Sequence, residues 1–296
     1  MDCGMNRATH FLGGWILAVV IIAMTVRVGT AQNYYDLLFE SLREGKSDRV
    51  VRNLLSQNLN VNIRNANGHT PLMFAANHGD SAVVQTLLKH GADPTIRDEY
   101  GQTALMYASY NGHSPVVRVL LQHDRLNRFD VTLADYDGKT ALILAAEQNH
   151  RICVRLLLKN GAEINKRDNF GWGALHHAAH NGHYKIVDLL LDFNGNPDLN
   201  ATNGETPLMP ASQESNTTSM KLLLNAGAHI NRQDNRGWTS LMHAVYYEEF
   251  SAVKMLIDNG AGVLIRANEE ETALSLAEEA GNEKILNYLM DTIGYQ

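Results

Sequence analysis

The chain has 296 residues, of which 45% are apolar and 19% charged, and its formal net charge at pH 7 is −7. This apolar content is sufficient for a large buried core. An acidic balance without any run of basic residues argues against binding that is driven by nucleic-acid phosphates.

The first 31 residues have the layout of an export signal. Phe11–Met24 is a mostly apolar run of 14 residues that follows a polar segment containing Arg7, and it is short for a membrane span. Gly29 and Ala31 stand at the −3 and −1 positions for cleavage before Gln32. We expect residues 1–31 to be a cleaved signal peptide and the mature protein to be secreted or periplasmic. An uncleaved signal anchor, which would hold the protein in a membrane through residues 11–28, is the alternative.

Residues 32–65 contain apolar residues at helical spacing but lack the phrase that recurs after them. Leu37, Phe39, Leu42 and the pairs Val50–Val51 and Leu54–Leu55 fall where later units place core residues. Terminal units of repeat arrays are usually atypical. We therefore expect an N-terminal capping helix pair over this range.

From residue 66 onward a short phrase recurs seven times. Successive copies are separated by 33, 37, 33, 33, 33 and 33 residues, and a fixed period of this size indicates stacked supersecondary units. The long interval adds four residues within 122–135, which we interpret as an extra helical turn or a longer finger rather than a functional loop. The copies are Thr70-Pro71-Leu72, Thr103-Ala104-Leu105, Thr140-Ala141-Leu142, Gly173-Ala174-Leu175, Thr206-Pro207-Leu208, Thr239-Ser240-Leu241 and Thr272-Ala273-Leu274.

Each unit predicts two helices and a turn. The Thr suits an N-cap position, and a Pro after it fits the first helical position. The second helix carries two apolar pairs four residues apart, such as Val83–Val84 and Leu87–Leu88, which is a helical stripe. A glycine then ends the helix, and an Asp-x-x-Gly turn such as Asp98–Gly101 leads to the next unit.

The combined pattern, Gly-x-Thr-Pro-Leu-x-x-Ala-Ala with Leu-Leu-x-x-Gly-Ala, resembles the ankyrin repeat. The resemblance implies an all-α solenoid of stacked helix-turn-helix units with hairpin fingers, about seven repeats behind the N-terminal capping pair. The residue after Leu is usually His in that family, but only His176 keeps it, and Met packing is expected to substitute elsewhere. Gly173 replaces a capping Thr, which should weaken that helix start by about 1 kcal/mol or less. The expected repeats are 66–98, 99–135, 136–168, 169–201, 202–234, 235–267 and 268–296.

Few side-chain patterns suggest chemistry. His176, His177, His180 and His183 form the densest cluster, and helical spacing could place two imidazoles on one metal. However, His176 is the family's structural His, His183 occupies a recurrent Gly-His turn position, and no cysteine is near. We therefore expect no metal site, no cofactor and no catalytic residue. Cys153, the cysteine outside the leader, falls in a core position, so no intramolecular disulfide is expected.

The resemblance places recognition on the concave face of the solenoid, formed by the finger tips and the exposed ends of the first helices. Aromatic residues and Arg are enriched at binding hot spots, and a large exposed apolar patch usually marks an interface. The alternative for each finger aromatic is packing on the adjacent finger. The predicted partner-binding residues, which should face solvent, are Tyr100, Tyr136, Phe170, Trp172, Arg236 and Trp238 on the fingers and Tyr110, His180, Tyr246 and Tyr247 at the helix ends.

These features predict an exported, monomeric scaffold or adaptor that holds a protein partner and has no catalytic activity. An immunity or inhibitor protein that blocks a co-exported enzyme is one alternative, and a membrane-anchored display module is another. Two acceptor sequons begin at Asn200 and Asn216. We expect both to be accessible, and glycosylated if the source is a eukaryote.

Overall fold

The computed structural model describes residues 31–43, 51–52, 55–56, 60–123 and 131–294. Within these residues the secondary structure is helical, and extended pairing is confined to two isolated antiparallel bridges, Ala134–Thr140 and Arg167–Gly173. Residues 1–30, almost all of the predicted leader, lie outside the described residues. So do residues 124–130, the middle of the long interval.

The described helices form one N-terminal helix and seven consecutive pairs. Helix α1 spans Ala31–Arg43. The first helices of the pairs are α2 Pro71–His78, α4 Ala104–Tyr110, α6 Ala141–Glu147, α8 Ala174–His180, α10 Leu208–Gln213, α12 Ser240–Tyr246 and α14 Ala273–Ala280. The second helices are α3 Ser81–Lys89, α5 Ser114–Leu121, α7 Arg151–Lys159, α9 Tyr184–Asp192, α11 Thr217–Asn225, α13 Phe250–Asp258 and α15 Glu283–Gly294. Each first helix packs on its own second helix and on the first helices of adjacent pairs, so the predicted all-α solenoid is confirmed.

Threonine caps define most of the first-helix starts. Thr70 Oγ1 accepts the Met73 N–H at 3.3 Å, and the Thr70 N–H donates to Met73 Sδ at 3.4 Å. The methionine sulfur therefore accepts a backbone N–H in addition to packing in the core, which goes beyond the predicted substitution by packing. The same two bonds join Thr103 to Met106 and Thr239 to Met242.

The start at Gly173 keeps the acceptor but loses the capping side chain. His176 Nδ1 accepts the Gly173 N–H at 3.2 Å, and His176 Nε2 contacts the backbone oxygen of Glu205 in the next repeat at 3.2 Å. A Cβ on Gly173 would lie 2.8 Å from Cδ2 of Leu199, so a larger residue here would displace that side chain.

The start at Thr206 departs from the prediction. The Thr206 hydroxyl is buried and has no hydrogen-bond partner among the described residues. Pro210 lacks the N–H that would bond to the Thr206 carbonyl, which accepts from Met209 at 3.0 Å instead. The predicted cap is therefore wrong at this helix, because a proline near the start changes the local hydrogen bonding.

The apolar pairs of the second helices lie in a continuous core that runs through the repeats. Cys153 is part of this core, and burial raises the pKa of its thiol to about 11. It is thus the small buried hydrophobe that the sequence predicts. In five repeats the residue that follows the Leu of the recurring motif is buried, as predicted. These residues are Met73, Met106, Ile143, Met209 and Met242.

The Asp-x-x-Gly turns build the fingers. Asp168 Oδ1 accepts the N–H groups of Phe170 at 3.0 Å and Trp172 at 2.8 Å, and Gly171 takes a φ of 82°, which favours glycine. Adjacent fingers are joined by backbone bonds of 2.9–3.0 Å, so their tips form a continuous ridge. These bonds run from Tyr136 to Tyr100, Asn169 to Asp137, Thr202 to Phe170, Asn235 to Asn203 and Asn268 to Arg236.

Helix α1 packs on the first repeat through Phe39 and Phe74, whose ring centroids lie 5.4 Å apart. Leu38 and Leu42 are buried, whereas Leu37 is exposed, so the core face of this helix differs from the predicted one by one residue. None of the described helices combines the length and apolar character needed to cross a bilayer.

Candidate partner-binding face

Most of the residues predicted to bind a partner are exposed on the concave face, the surface made by the finger tips and the C-terminal ends of the first helices. Trp172 and His180 are half-buried, and Trp238 is buried. Phe170, at 73%, has the highest exposed fraction of the large apolar side chains in the described residues. The exposed members are Tyr100, Tyr110, Tyr136, Phe170, Arg236, Tyr246 and Tyr247.

The prediction that Trp238 faces solvent is wrong. Its side chain is 7% exposed because three neighbours enclose the ring. The Arg236 guanidinium lies 4.2 Å from the ring centroid, and the rings of His243 and Tyr246 approach edge-on at 5.4 Å and 5.2 Å. Trp238 is therefore a packing residue of its finger, and its replacement would report on stability.

Trp172 occupies the same position two repeats earlier, but it is only half-buried. Its indole packs on three histidines of α8: His176 at 5.8 Å, His177 at 5.2 Å and His180 at 5.4 Å between ring centroids. Three members of the histidine cluster thus support one tryptophan.

The cluster does not converge on a common point in the way that a metal site requires. His176 bonds to backbone atoms, His177 Nε2 lies 2.9 Å from Asp168 Oδ2, and His183 Nε2 lies 3.0 Å from the Glu147 carbonyl oxygen. His176 also contacts the Glu205 carbonyl oxygen in the next repeat. These three imidazoles are therefore held separately by hydrogen bonds, whereas His180 packs on Trp172 and its Nδ1 is buried without a hydrogen-bond partner among the described residues.

Buried aspartate–histidine pairs fix the fingers to the first helices. Asp168 pairs with His177, and Asp234 pairs with His243 at 3.1 Å. Burial alone would raise the pKa of each aspartate, but the histidine bond and the backbone N–H groups outweigh it, so both carboxyl pKa values lie below their ordinary range. Both acids are therefore ionised at neutral pH.

Glu205 joins the second of these pairs. Ligand atoms of Glu205, Asp234 and His243 lie within 4.8 Å of one another, and all three residues are buried. Gln213 Nε2 donates to Glu205 Oε1 at 3.2 Å and contacts His243 Nδ1 at 3.0 Å, so both ring nitrogens of His243 are already hydrogen-bonded. The arrangement forms a closed hydrogen-bond network around His243. No motif in the sequence indicates this network, because its members come from different segments of two repeats.

A cleft of about 600 Å³ opens beside Trp172 on the concave face. Aromatic rings form part of its wall, and two carboxylates, one lysine and three neutral polar side chains form the rest. We call this cavity the Trp172 cleft. Its lining residues are Lys139, Asp168, Asn169, Phe170, Trp172, His177, Thr202, Asn203 and Glu205.

Tyr136 packs on an adjacent finger, which is the alternative to partner binding for a finger aromatic. The Arg97 guanidinium lies 5.3 Å from the Tyr136 ring centroid, and the Tyr136 N–H donates to the Tyr100 carbonyl oxygen, so this residue packs on the preceding finger. Its side chain is nevertheless 65% exposed. Tyr136 therefore has a structural role and retains an exposed surface.

The predicted accessibility of the sequons is wrong for Asn216. This residue is half-buried, and its Nδ2, the atom that a glycan would modify, donates to the carbonyl oxygens of Ala179 at 3.1 Å and His180 at 2.6 Å. Asn200 is also half-buried, and its Oδ1 is buried without a hydrogen-bond partner in the described residues. Modification of Asn216 would require the loss of two bonds between repeats.

Comparison with known proteins agrees with this architecture. The family model described as ankyrin repeats (3 copies) matches residues 37–130, 96–168, 165–234 and 227–296. The crystal structure of the human ASB11 ankyrin repeat domain is similar to this chain, with 25% sequence identity and a TM-score of 0.67. The alignment covers 76% of this chain and 98% of that domain. No curated protein sequence matches the chain.

Proposed function

This chain belongs to the ankyrin-repeat family, and from that membership we propose that it is a non-catalytic scaffold that holds a protein partner on its concave face. The observation that carries the proposal is the exposure of Tyr100, Tyr110, Phe170, Tyr246 and Tyr247 on one side of the solenoid. Exposed aromatic side chains are costly in water and are enriched where proteins bind one another.

The rigid support of these residues favours the same function. The finger tips are joined by backbone hydrogen bonds, and the first helices are fixed to the fingers by buried pairs such as Asp168–His177. A pre-ordered surface loses little conformational entropy on binding. We therefore expect the concave face to bind its partner without a large rearrangement.

A matched pair of variants tests this function. Tyr110→Ala with Phe170→Ala removes two exposed side chains from the concave face, whereas Ile152→Ala with Tyr184→Ala removes two from the second helices α7 and α9. Partners captured by the wild-type chain should be purified and titrated by calorimetry against all three proteins. Hot-spot side chains contribute about 2 kcal/mol or more each, so the loss of two should weaken binding by about 4 kcal/mol, or roughly 1000-fold.

The second-helix variant should bind with unchanged affinity. A partner that binds the concave variant as tightly as the wild type, or that is lost with Ile152→Ala and Tyr184→Ala, would refute the assignment of the surface. Trp238 is left out of this test because its substitution would alter the finger itself.

We also propose, from the sequence alone, that residues 1–31 direct export to the extracellular space or the periplasm. N-terminal sequencing of the purified protein tests this: a start at Gln32 supports cleavage and excludes the membrane-anchored alternative. A retained leader in the membrane fraction supports the anchor through residues 11–28. The inhibitor alternative would require that a captured enzyme loses activity at a 1:1 ratio.

A further inference from the structure

Two fingers of the solenoid carry the same constellation around a tryptophan. Asp168, Trp172 and His177 repeat in the second finger as Asp234, Trp238 and His243, with the same separations along the chain. In each, the aspartate accepts the tryptophan N–H at 2.8 Å and pairs with the histidine. The chain thus contains two versions of one local structure, and they can be compared directly.

In the second version an arginine covers the indole. The Arg236 guanidinium lies 4.2 Å from the Trp238 ring centroid, and Arg236 Nε lies 3.6 Å from Asp234 Oδ2. A cation over an indole face is attracted by the negative face of the ring, and a nearby carboxylate adds to the attraction. Within the chain, the tryptophan and aspartate of this constellation therefore bind an arginine side chain.

In the first version the covering cation is missing. Phe170 occupies the position of Arg236, and among the described residues no lysine or arginine lies over the Trp172 ring. The space is instead the Trp172 cleft of about 600 Å³, and Trp172 stays half-buried. The aromatic wall of this cleft therefore has two rings and no cation.

Glu205 contributes a carboxylate to the cleft, and among the described residues no lysine or arginine neutralises this carboxylate. It is 7% exposed and accepts a bond from Gln213, but among the described residues no lysine or arginine pairs with it. The lysine that lines the cleft, Lys139, is engaged elsewhere, because its Nζ lies 2.8 Å and 3.0 Å from the Glu147 carboxylate oxygens. A carboxylate removed from water without a cation is costly, so the site favours a positively charged ligand.

Lysine and arginine residues are distributed unevenly between the first and second helices, in a way that also favours a cationic ligand at the cleft. The first helices, which border the concave face, contain no lysine or arginine. The second helices contain nine: Lys89, Arg118, Arg151, Arg155, Lys159, Lys185, Lys221, Lys254 and Lys284. The second helices also carry carboxylates, and the fingers carry cations such as Arg97 and Lys139. A basic segment of a partner would therefore meet fewer cations at the first helices than at the second helices.

We propose that the Trp172 cleft binds an arginine side chain of the protein partner, with the guanidinium stacked on Trp172 beside Phe170 and ion-paired with Glu205, as Arg236 covers Trp238 within the chain. The inference rests on the proposed function and adds the chemistry of the ligand. A guanidinium fits better than an ammonium, because its planar group stacks on an aromatic face and forms two parallel bonds to a carboxylate.

Labelled hexa-arginine and hexa-citrulline peptides test the proposal by fluorescence anisotropy on the full chain. Citrulline keeps the shape of arginine but has no charge, so hexa-citrulline should bind at least tenfold more weakly. Glu205→Gln should weaken hexa-arginine binding at least fivefold. Glu214→Gln, which removes the same charge from an exposed position at the end of α10, should change it less than twofold.

Phe170→Arg provides a second, independent test. It places an arginine where Arg236 stands in the second constellation, so the chain should fill its own cleft and lose at least tenfold in affinity for hexa-arginine. The melting temperature of this variant should not fall, which excludes misfolding as the cause.

Equal weakening by Glu205→Gln and Glu214→Gln would overturn the proposal, because it would indicate diffuse attraction to an acidic surface. Undiminished binding by Phe170→Arg would overturn it as well. Either result leaves the proposed scaffold function intact if the natural partner still depends on Tyr110 and Phe170. Loss of that dependence would count against the scaffold function instead.

Discussion

His176 shows how burial of one residue links stability to pH. Desolvation lowers the pKa of its imidazole from 6.5 to about 4, against the opposing effect of the Glu205 backbone bond. As the pH falls below 6.5, the unfolded chain binds a proton before the folded chain does. The free energy of unfolding therefore decreases from pH 6.5 towards pH 4, by at most about 1.4 kcal/mol per pH unit.

His176→Met should remove this dependence, because Met73, Met106 and Met242 occupy the same position in other repeats and accept the same backbone bond. Urea unfolding at about pH 6.5 and about pH 5 should show a wild-type loss that exceeds the variant's by roughly 1.5 kcal/mol. Asp168 and Asp234 do not interfere, since their lowered carboxyl pKa values make their contribution disappear only at lower pH. Equal pH slopes for both proteins would contradict the argument.

Single residues also show the limit of what the sequence reveals. The repeat period placed Trp172 and Trp238 in the same position, but it did not show that Arg236 covers one ring and not the other. Exposure depends on the side chain two positions earlier. Glu205 was missed for a related reason: its hydrogen-bond partner Gln213 also contacts His243 of the next repeat, and that contact follows from stacking of the repeats.

At the scale of helices, the recurring phrase predicted first-helix starts because a capping threonine and its partner are local in sequence. The exception at Thr206 comes from Pro210, whose missing N–H shifts the hydrogen bonding. The core face of α1 was harder to predict. Without a phrase to set the phase, Leu38 rather than Leu37 forms the core face of α1.

Two threonine substitutions compare these helix starts. Thr239→Ala removes an oxygen that accepts the Met242 N–H at 3.3 Å, and it should lower the free energy of unfolding by about 1 kcal/mol. Thr206→Ala removes a buried hydroxyl that has no partner in the described residues, and it should be close to neutral. Urea titrations of both variants measure the difference, and equal losses would show that the Thr206 hydroxyl is bonded in solution.

At the scale of the whole molecule, the main contacts between the described helices lie within a repeat or between adjacent repeats, so the stability of the solenoid depends on the interfaces between neighbours. Leu190 is buried in the middle of the array and Leu289 is buried in its last helix. Replacing either with Ala should cost ~2–5 kcal/mol. The consequences for cooperativity should differ, because a weak central repeat interrupts the coupling between the two halves.

Leu190→Ala should therefore broaden or split the urea unfolding transition, whereas Leu289→Ala should leave a single main transition with loss of structure at the C-terminal end. Circular dichroism and hydrogen exchange followed through the transition distinguish the two patterns. Single cooperative transitions with equal midpoints for both variants would contradict the nearest-neighbour description.

We propose that one face of this solenoid, made by the finger tips and the ends of the first helices, holds a protein partner. Hydrogen exchange of the chain alone and in complex with its purified partner tests it most directly. Binding should add protection in peptides that contain Tyr110, the Phe170 finger and Tyr246–Tyr247, and should leave α7 and α9 unchanged. Protection confined to the second helices, with the fingers unchanged, would contradict it.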